Sequence, residues 1–275
     1  MSQKPAAVLV VDDDVDICRN VSDILTDLNF LVDVAHDGPS ALEMVRRRPY
    51  DLALLDLKMP GMDGLTLYRE LRKLRAEIVA IVITAFAGPE TVNEALAAGA
   101  WRVLPKPVDI HHLLSLTQEV LEQPLVLVID NDSDLCHMIW HALREKGYRV
   151  ALATDIPSAE EKLKDHTFRV VLIDLKLPAD NPKELFQLVR LTNPEARTLL
   201  ITGQDSDMGL TIQGALTEGV DAVCYKPFDV QTLISTVQKL TQTPPASDSP
   251  VSPSEPNRAQ PGDSAPPTHA PEDHA

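Results

Sequence analysis

The chain sets out one order of polar residues twice, and this internal repeat limits the possible folds more than any other feature. The stretch VLVVDDD brings Asp12, Asp13 and Asp14 to the end of an apolar run. Asp56 closes the run DLALLD, Thr84 closes IVAIVIT, and Lys106 stands before Pro107. The second half repeats the order in Asp130, Asp174, Thr202 and Lys226, the last before Pro227. The first three pairs are offset by 118 residues and the lysines by 120. Solenoid repeats have periods of roughly 20–50 residues, so a repeat this long is a duplicated domain. The 275 residues suffice for two domains that each bury a core.

Short β-branched runs alternate with helical patterns. Strands are expected at Ala7–Val11, Phe30–Ala35, Leu52–Leu55, Val79–Ile83 and Trp101–Leu104. Helices are expected at Asp14–Leu28, Gly38–Arg47, Gly64–Leu74, Pro89–Ala98 and Asp109–Glu122. Asp14 and Asp132 suit helix caps, and Pro89 suits a first helical position. The runs AAVLVV, LALL and IVAIVI are continuously apolar, as in strands buried on both faces, which implies a parallel sheet between two helical layers. The second copy follows from Leu125 after only Gln123 and Pro124, so the last helix of the first copy should hold the second in a nearly fixed orientation. The expected domains are 1–123, 124–243 and a disordered segment 244–275, which holds nine prolines and only Val251 among strong core formers.

Composition excludes several functions. A net charge of -16 ill suits contact with a nucleic-acid backbone, and Arg46–Arg48, the only compact basic run, reads as solvated. No apolar run approaches the roughly 20 residues of a membrane span, and no signal-peptide pattern opens the chain. Cys18, Cys136 and Cys224 have no paired spacing, Cys18 and Cys136 are repeat equivalents that read as buried apolar fillers, and the protein reads as kept reduced, hence cytoplasmic. His137 and His141 lack the glutamate of a zincin motif, His111 and His112 read as surface, and Trp101 and Trp140 as packing residues.

In an open α/β sheet, ligands bind beyond the carboxyl ends of the strands. Asp12, Asp13, Asp56, Thr84 and Lys106 all lie there and should converge on one rim. Clustered carboxylates repel unless a cation sits among them, and hard oxygen donors in an incomplete cage suit Mg²⁺. A carboxylate can attack phosphorus to give an acyl phosphate, while a lysine and a metal offset the developing charge. A haloacid-dehalogenase-like phosphatase would need a second Asp two residues after Asp56, where Lys58 stands, and a dinucleotide-binding enzyme would need a glycine-rich turn after the first strand.

The motifs VLVVDDD, LLDLKMPGMDG, ITA and LPKP resemble, in sequence, spacing and order, the receiver domain of two-component response regulators, here in tandem and without an output domain. The resemblance implies two flavodoxin-like (βα)5 domains, each a five-stranded parallel sheet with helices on both faces. It implies Asp56 as phosphoryl acceptor, with Asp12, Asp13, Asp56 and the carbonyl of Lys58 around Mg²⁺, and Thr84 and Lys106 as the phosphoryl-binding switch pair. The corresponding residues of the second copy are Asp174 as acceptor, Asp130, Asn131, Asp174 and the carbonyl of Lys176 around the metal, and Thr202 with Lys226. Asn131 offers a neutral oxygen, so weaker Mg²⁺ binding is expected in the second copy, which also lacks the PGMDG turn. Val103 and Val223 occupy positions where receivers usually carry a Phe or Tyr that turns inward on activation. The Lys106–Pro107 bond should be cis. The implied partners are a histidine kinase or histidine phosphotransfer protein and a downstream protein, with no nucleic acid and no membrane. Such a chain is a signalling protein rather than a turnover enzyme. The alternative is a regulator or phosphate sink in which one or both receivers act as unphosphorylated interaction modules.

Overall fold

The computed structural model describes residues 5–85, 87–177, 182–203 and 219–242. The expected disordered segment 244–275 lies outside them. Five strand–helix pairs build the first copy: β1 (Ala7–Val11), α1 (Val15–Asp27), β2 (Leu31–Ala35), α2 (Gly38–Arg47), β3 (Leu52–Asp56), α3 (Gly64–Leu74), β4 (Val79–Thr84), α4 (Pro89–Ala97), β5 (Arg102–Pro105) and α5 (Ile110–Glu122). The second copy comprises β6 (Leu125–Ile129), α6 (Ser133–Glu145), β7 (Arg149–Ala153), α7 (Ile156–Asp165), β8 (Val170–Asp174), α8 (Pro182–Thr192), β9 (Arg197–Gly203), β10 (Ala222–Lys226) and α9 (Val230–Gln242). Every strand pair is parallel. The orders are β2-β1-β3-β4-β5 and β10-β9-β8-β6-β7, the same flavodoxin-like order in each copy.

Alternation along the strands divides each core into two layers. Leu9 and Val11 of β1 face a cluster with α2 and α3, whereas Val8 and Val10 face one with α1 and α5. In the second copy Leu127 and Ile129 face one layer, and Val126 and Val128 the other. Every residue of β3, β4, β6 and β8 is buried, as the unbroken apolar runs require. Helix ends follow local chemistry. The Asp14 carboxylate accepts from the N–H groups of Asp16 and Ile17, and Asp132 accepts from Asp134 and Leu135. Gly99, after α4, takes φ +93°, a conformation closed to most L-residues. Both Lys106–Pro107 and Lys226–Pro227 are cis. The basic run is not wholly solvated: Arg48 pairs with Asp33 at 2.7 Å and lies over the Tyr50 ring.

The second copy packs against the edge at which strands of the first begin. Arg149, opening β7, donates to Asp51 at 2.6 Å, and the same carboxylate accepts the N–H of Ala7 at the start of β1. Lys162 of α7 donates to both oxygens of Glu77 at 3.0 and 2.9 Å, with the His166 ring 3.6 Å from that carboxylate. Arg75 pairs with Glu161 at 2.9 Å. The Trp140 indole donates to the carbonyl of Ala76, and Arg72 stacks 3.7 Å from its ring centre. Arg144 donates to the carbonyl of Gly99. The Gln123–Pro124 junction is therefore supplemented by a buried, charge-matched contact.

Glu77 shows what this contact supplies. Burial pushes its carboxyl up, but the adjoining His166 and Lys162 override that, and the pKa falls from the usual 4.5 to about 2. A depressed carboxyl pKa stabilises the fold above the unfolded-state value, and that stability drains away as pH falls through the folded one. The parent should thus lose melting temperature between pH 4.5 and about 2 more steeply than Glu77→Gln. At neutral pH the substitution strands Lys162 and should cost about 3 kcal/mol. Thermal melts across that pH range check both.

Candidate functional site

Four parallel strands deliver side chains to one rim of the first sheet. Asp12 follows β1, Asp56 ends β3, Thr84 ends β4, and Lys106 follows β5. Their convergence follows from topology: parallel strands present all their carboxyl ends on the same side. Carboxylate oxygens of Asp12, Asp13 and Asp56 lie within 4.8 Å of one another. Lys106 Nζ is 2.7 Å from Asp12 Oδ2 and 3.3 Å from Asp56 Oδ1. Asp12, Asp56 and Thr84 are buried, whereas Asp13 and Lys58 are exposed.

The electrostatics suit a site that exchanges one cation–anion arrangement for another. Burial raises the Asp56 pKa, Lys106 lowers it and Asp12 raises it, and the net shift is upward. Burial lowers the Lys106 pKa, but hydrogen bonding and charge from Asp12, then Asp56, outweigh it, so the ammonium form is held. The Lys58 N–H also bonds to Asp56. Three close carboxylates with one lysine leave negative charge uncompensated. These hard oxygen donors fit a small divalent cation, with Asp12, Asp13 and Asp56 as the carboxylate donors.

Several supporting contacts have no signature in the sequence. The Cys18 thiol donates to the carbonyl of Asp12 at 3.3 Å, and the His36 Nδ1 lies 3.2 Å from the same oxygen. Cys136 repeats the contact on Asp130 at 3.2 Å. Both thiols were expected as apolar fillers; burial pushes their pKa up to about 11 and 12, so they remain S–H donors. Gly64 opens α3 directly against β3: a Cβ there would sit 2.2 Å from the carbonyl oxygen of Asp56. Its N–H donates to Leu57, and the Asp63 carboxylate caps the helix. The MDG triplet was the available signal, because a glycine after a capping residue marks a close backbone approach.

The second rim repeats the geometry with differences. Lys226 Nζ lies 2.7 Å from Asp130 Oδ2 and 3.1 Å from Asp174 Oδ2. Asp130, Asp174 and Thr202 are buried, and Asn131 and Lys176 are exposed. Asp174 Oδ1 is buried with no hydrogen-bond partner among the described residues. The donor set has two carboxylates and one amide in place of three carboxylates.

The chain is similar to several known proteins. The sequence profile of the response regulator receiver domain matches residues 8–118 and again 126–238. A response regulator receiver protein of Anaeromyxobacter is 31% identical over 232 residues, which cover 84% of this chain and 94% of that protein. The transcriptional regulatory protein ZraR of Salmonella typhimurium is 38% identical over 128 residues, 46% of this chain and 28% of ZraR. The chain thus spans little more than a quarter of that relative's length. Among solved structures, a receiver domain protein from Methanospirillum hungatei is 32% identical, covers 43% of this chain and 94% of its own, and has a TM-score of 0.42. With each profile match falling on its own five-stranded parallel sheet and acidic rim, the chain belongs to the response regulator receiver family and carries two receiver domains in tandem.

Proposed function

We propose that this chain is a phosphoryl-accepting signalling protein, with receivers at 1–123 and 124–243, in which Asp56 is the principal acceptor. The observation that carries the reading is the placement of Lys106 Nζ between Asp12 and Asp56, beside three carboxylates within 4.8 Å. A carboxylate oxygen of Asp56 forms the new P–O bond as the P–N bond of a donor phosphohistidine breaks. The electron pair of the broken bond leaves with the imidazole nitrogen. Lys106, freed from Asp56 as that carboxylate is esterified, remains paired with Asp12 and can bind a phosphoryl oxygen, and Thr84 lies one strand away for another. Mg²⁺, held by Asp12, Asp13, Asp56 and the Lys58 carbonyl, would supply charge neutralisation on the phosphoryl oxygens.

The donor in this reading is a histidine kinase or histidine phosphotransfer protein, and the output is a change in protein contacts. The chain accepts and releases a phosphoryl group rather than turning over a substrate. A cytoplasmic place fits its three free cysteines and the lack, among the described residues, of any helix long and apolar enough to cross a membrane. Val103 and Val223, packed on their respective cores, take no part in a ring flip, so signalling would use the contact between receivers or their outer faces. A second reading, of the second receiver as an unphosphorylated interaction module, is favoured by Asn131; Asp174 Oδ1, buried and without a hydrogen-bond partner among the described residues, argues for retained acceptor chemistry.

Incubation with Mg²⁺ and a small phosphodonor, followed by mapping of acid-labile phosphate, tests the assignment. Asp56→Asn should remove most of the label; uptake equal to the parent's would overturn it. In the intact chain, Mg²⁺ should bind in two phases. Asn131→Asp should tighten the weaker phase by about tenfold, the gain expected from a charged in place of a neutral ligand. Titration followed by calorimetry reads the change.

A further inference from the structure

A cleft of about 470 Å³ lies between the two receivers, within the size range of small-ligand sites. The end of α2 and the last turn of α3 form one wall, and α6, β7 and α7 form the other. Arg46, Arg72, Lys73, Arg75 and Lys162 line it, against Glu161 as its only carboxylate among the described residues. The whole chain runs the other way, with 41 acidic residues to 25 Lys and Arg.

Most of these cations are already matched. Lys162 is held by Glu77, Arg75 by Glu161 and Asp165, and Lys73 by Glu70. Two are not. Arg46 has no ion pair or hydrogen bond among the described residues. Arg72 donates to the Ala98 carbonyl and stacks on Trp140, meets no carboxylate, and leaves its buried Nε without a partner. Two guanidiniums without counter-charge, in a cleft whose other cations are each paired, leave a net positive hollow in an acidic protein. Guanidinium groups bind phosphate through parallel N–H donors. Val45, Leu74, Ala76 and Leu152 add an apolar surface beside them, and the exposed Thr154 adds a hydroxyl.

We propose that this cleft binds an organic phosphate of nucleotide size, with its phosphate groups at Arg46 and Arg72 and its apolar body against Val45, Leu74 and Leu152. Because both receivers line the cleft, the bound ligand would strengthen their contact and raise the stability of the pair. The site uses none of the acid-rim residues, so it stands apart from the phosphoacceptor reading.

The test is calorimetric titration of the intact chain with ADP in the presence of EDTA, beside adenosine and pyrophosphate. ADP should bind more tightly than either of the other two and should raise the melting temperature. Arg46→Glu, an exposed and unpaired position whose change should leave the fold intact, should weaken ADP by at least about tenfold, as loss and reversal of a phosphate-binding charge predicts. Asp56→Asn should bind ADP like the parent. Failure of ADP to bind at millimolar concentration, undiminished binding by Arg46→Glu, pyrophosphate binding as tight as ADP, or loss of binding in Asp56→Asn would each overturn the proposal.

Discussion

A carboxylate taken out of water needs a cation beside it, and this requirement organises both the rims and the contact between the receivers. Asp12 and Asp56 tolerate burial at the first rim because Lys106 reaches both; Asp130 and Asp174 depend on Lys226 in the same way. On the opposite edge of the first sheet, Asp51 and Glu77 meet Arg149 and Lys162 of the second receiver. Asp51 also holds the first residue of β1, the strand leading to Asp12, and directly precedes β3, the strand ending in Asp56. The second receiver thus grips the starts of the two strands whose far ends carry the acids of the site.

Duplication alone would predict that such a contact could recur, with the strand-start edge of the second receiver seating another domain. The residues do not allow it. At the 118-residue offset, Asp51 becomes Arg169, and on the matching face Arg149 corresponds to Leu31. Glu77 becomes Glu195, but Lys162 corresponds to Met44 and Trp140 to Ser22. The Asp51–Arg149 pair therefore has no counterpart at the offset, and the retained Glu195 has no Lys162 equivalent to meet it. Arg169 instead donates to the carbonyl of Thr241 at the end of α9. A contact of the same kind at the strand-start edge of the second receiver would therefore lack the acid that Arg149 meets in the first.

Much of this was legible in the sequence, for physical reasons. Strands buried on both faces must be apolar throughout, so β1, β3 and β4 declared themselves, and their first and last residues moved by no more than one position. The rim residues were legible because the chain spends polar groups at the ends of apolar runs only where topology gathers them. The expected fixed junction at Gln123 and Pro124 pointed to a close pair, yet its substance was hidden. Nothing in the sequence sets Glu77, Lys162 and Arg149 apart from surface charges, because their burial depends on a partner face 85 or 98 residues away. Cys18 and Cys136 were recognised as buried but not as donors to the acid-bearing turn, since a thiol's hydrogen bond leaves no periodic trace. Gly64 was written in the MDG triplet, but its role became visible only from the close approach of the Asp56 carbonyl.

The two helix-ending glycines carry a further consequence. Gly99 of the first receiver lies so close to the Trp140 ring of the second that a Cβ would come within 2.9 Å of it, whereas Gly147 of the second faces the Trp101 ring of the first at ordinary contact distance. Receiver domains invite recombination as self-contained cassettes, joined to new neighbours through a few residues of linker. A pair in which one receiver's indole takes the place of a side chain on the other has less of that freedom. A foreign receiver spliced after Gln123 would meet, at Gly99, a surface shaped for a tryptophan it need not possess.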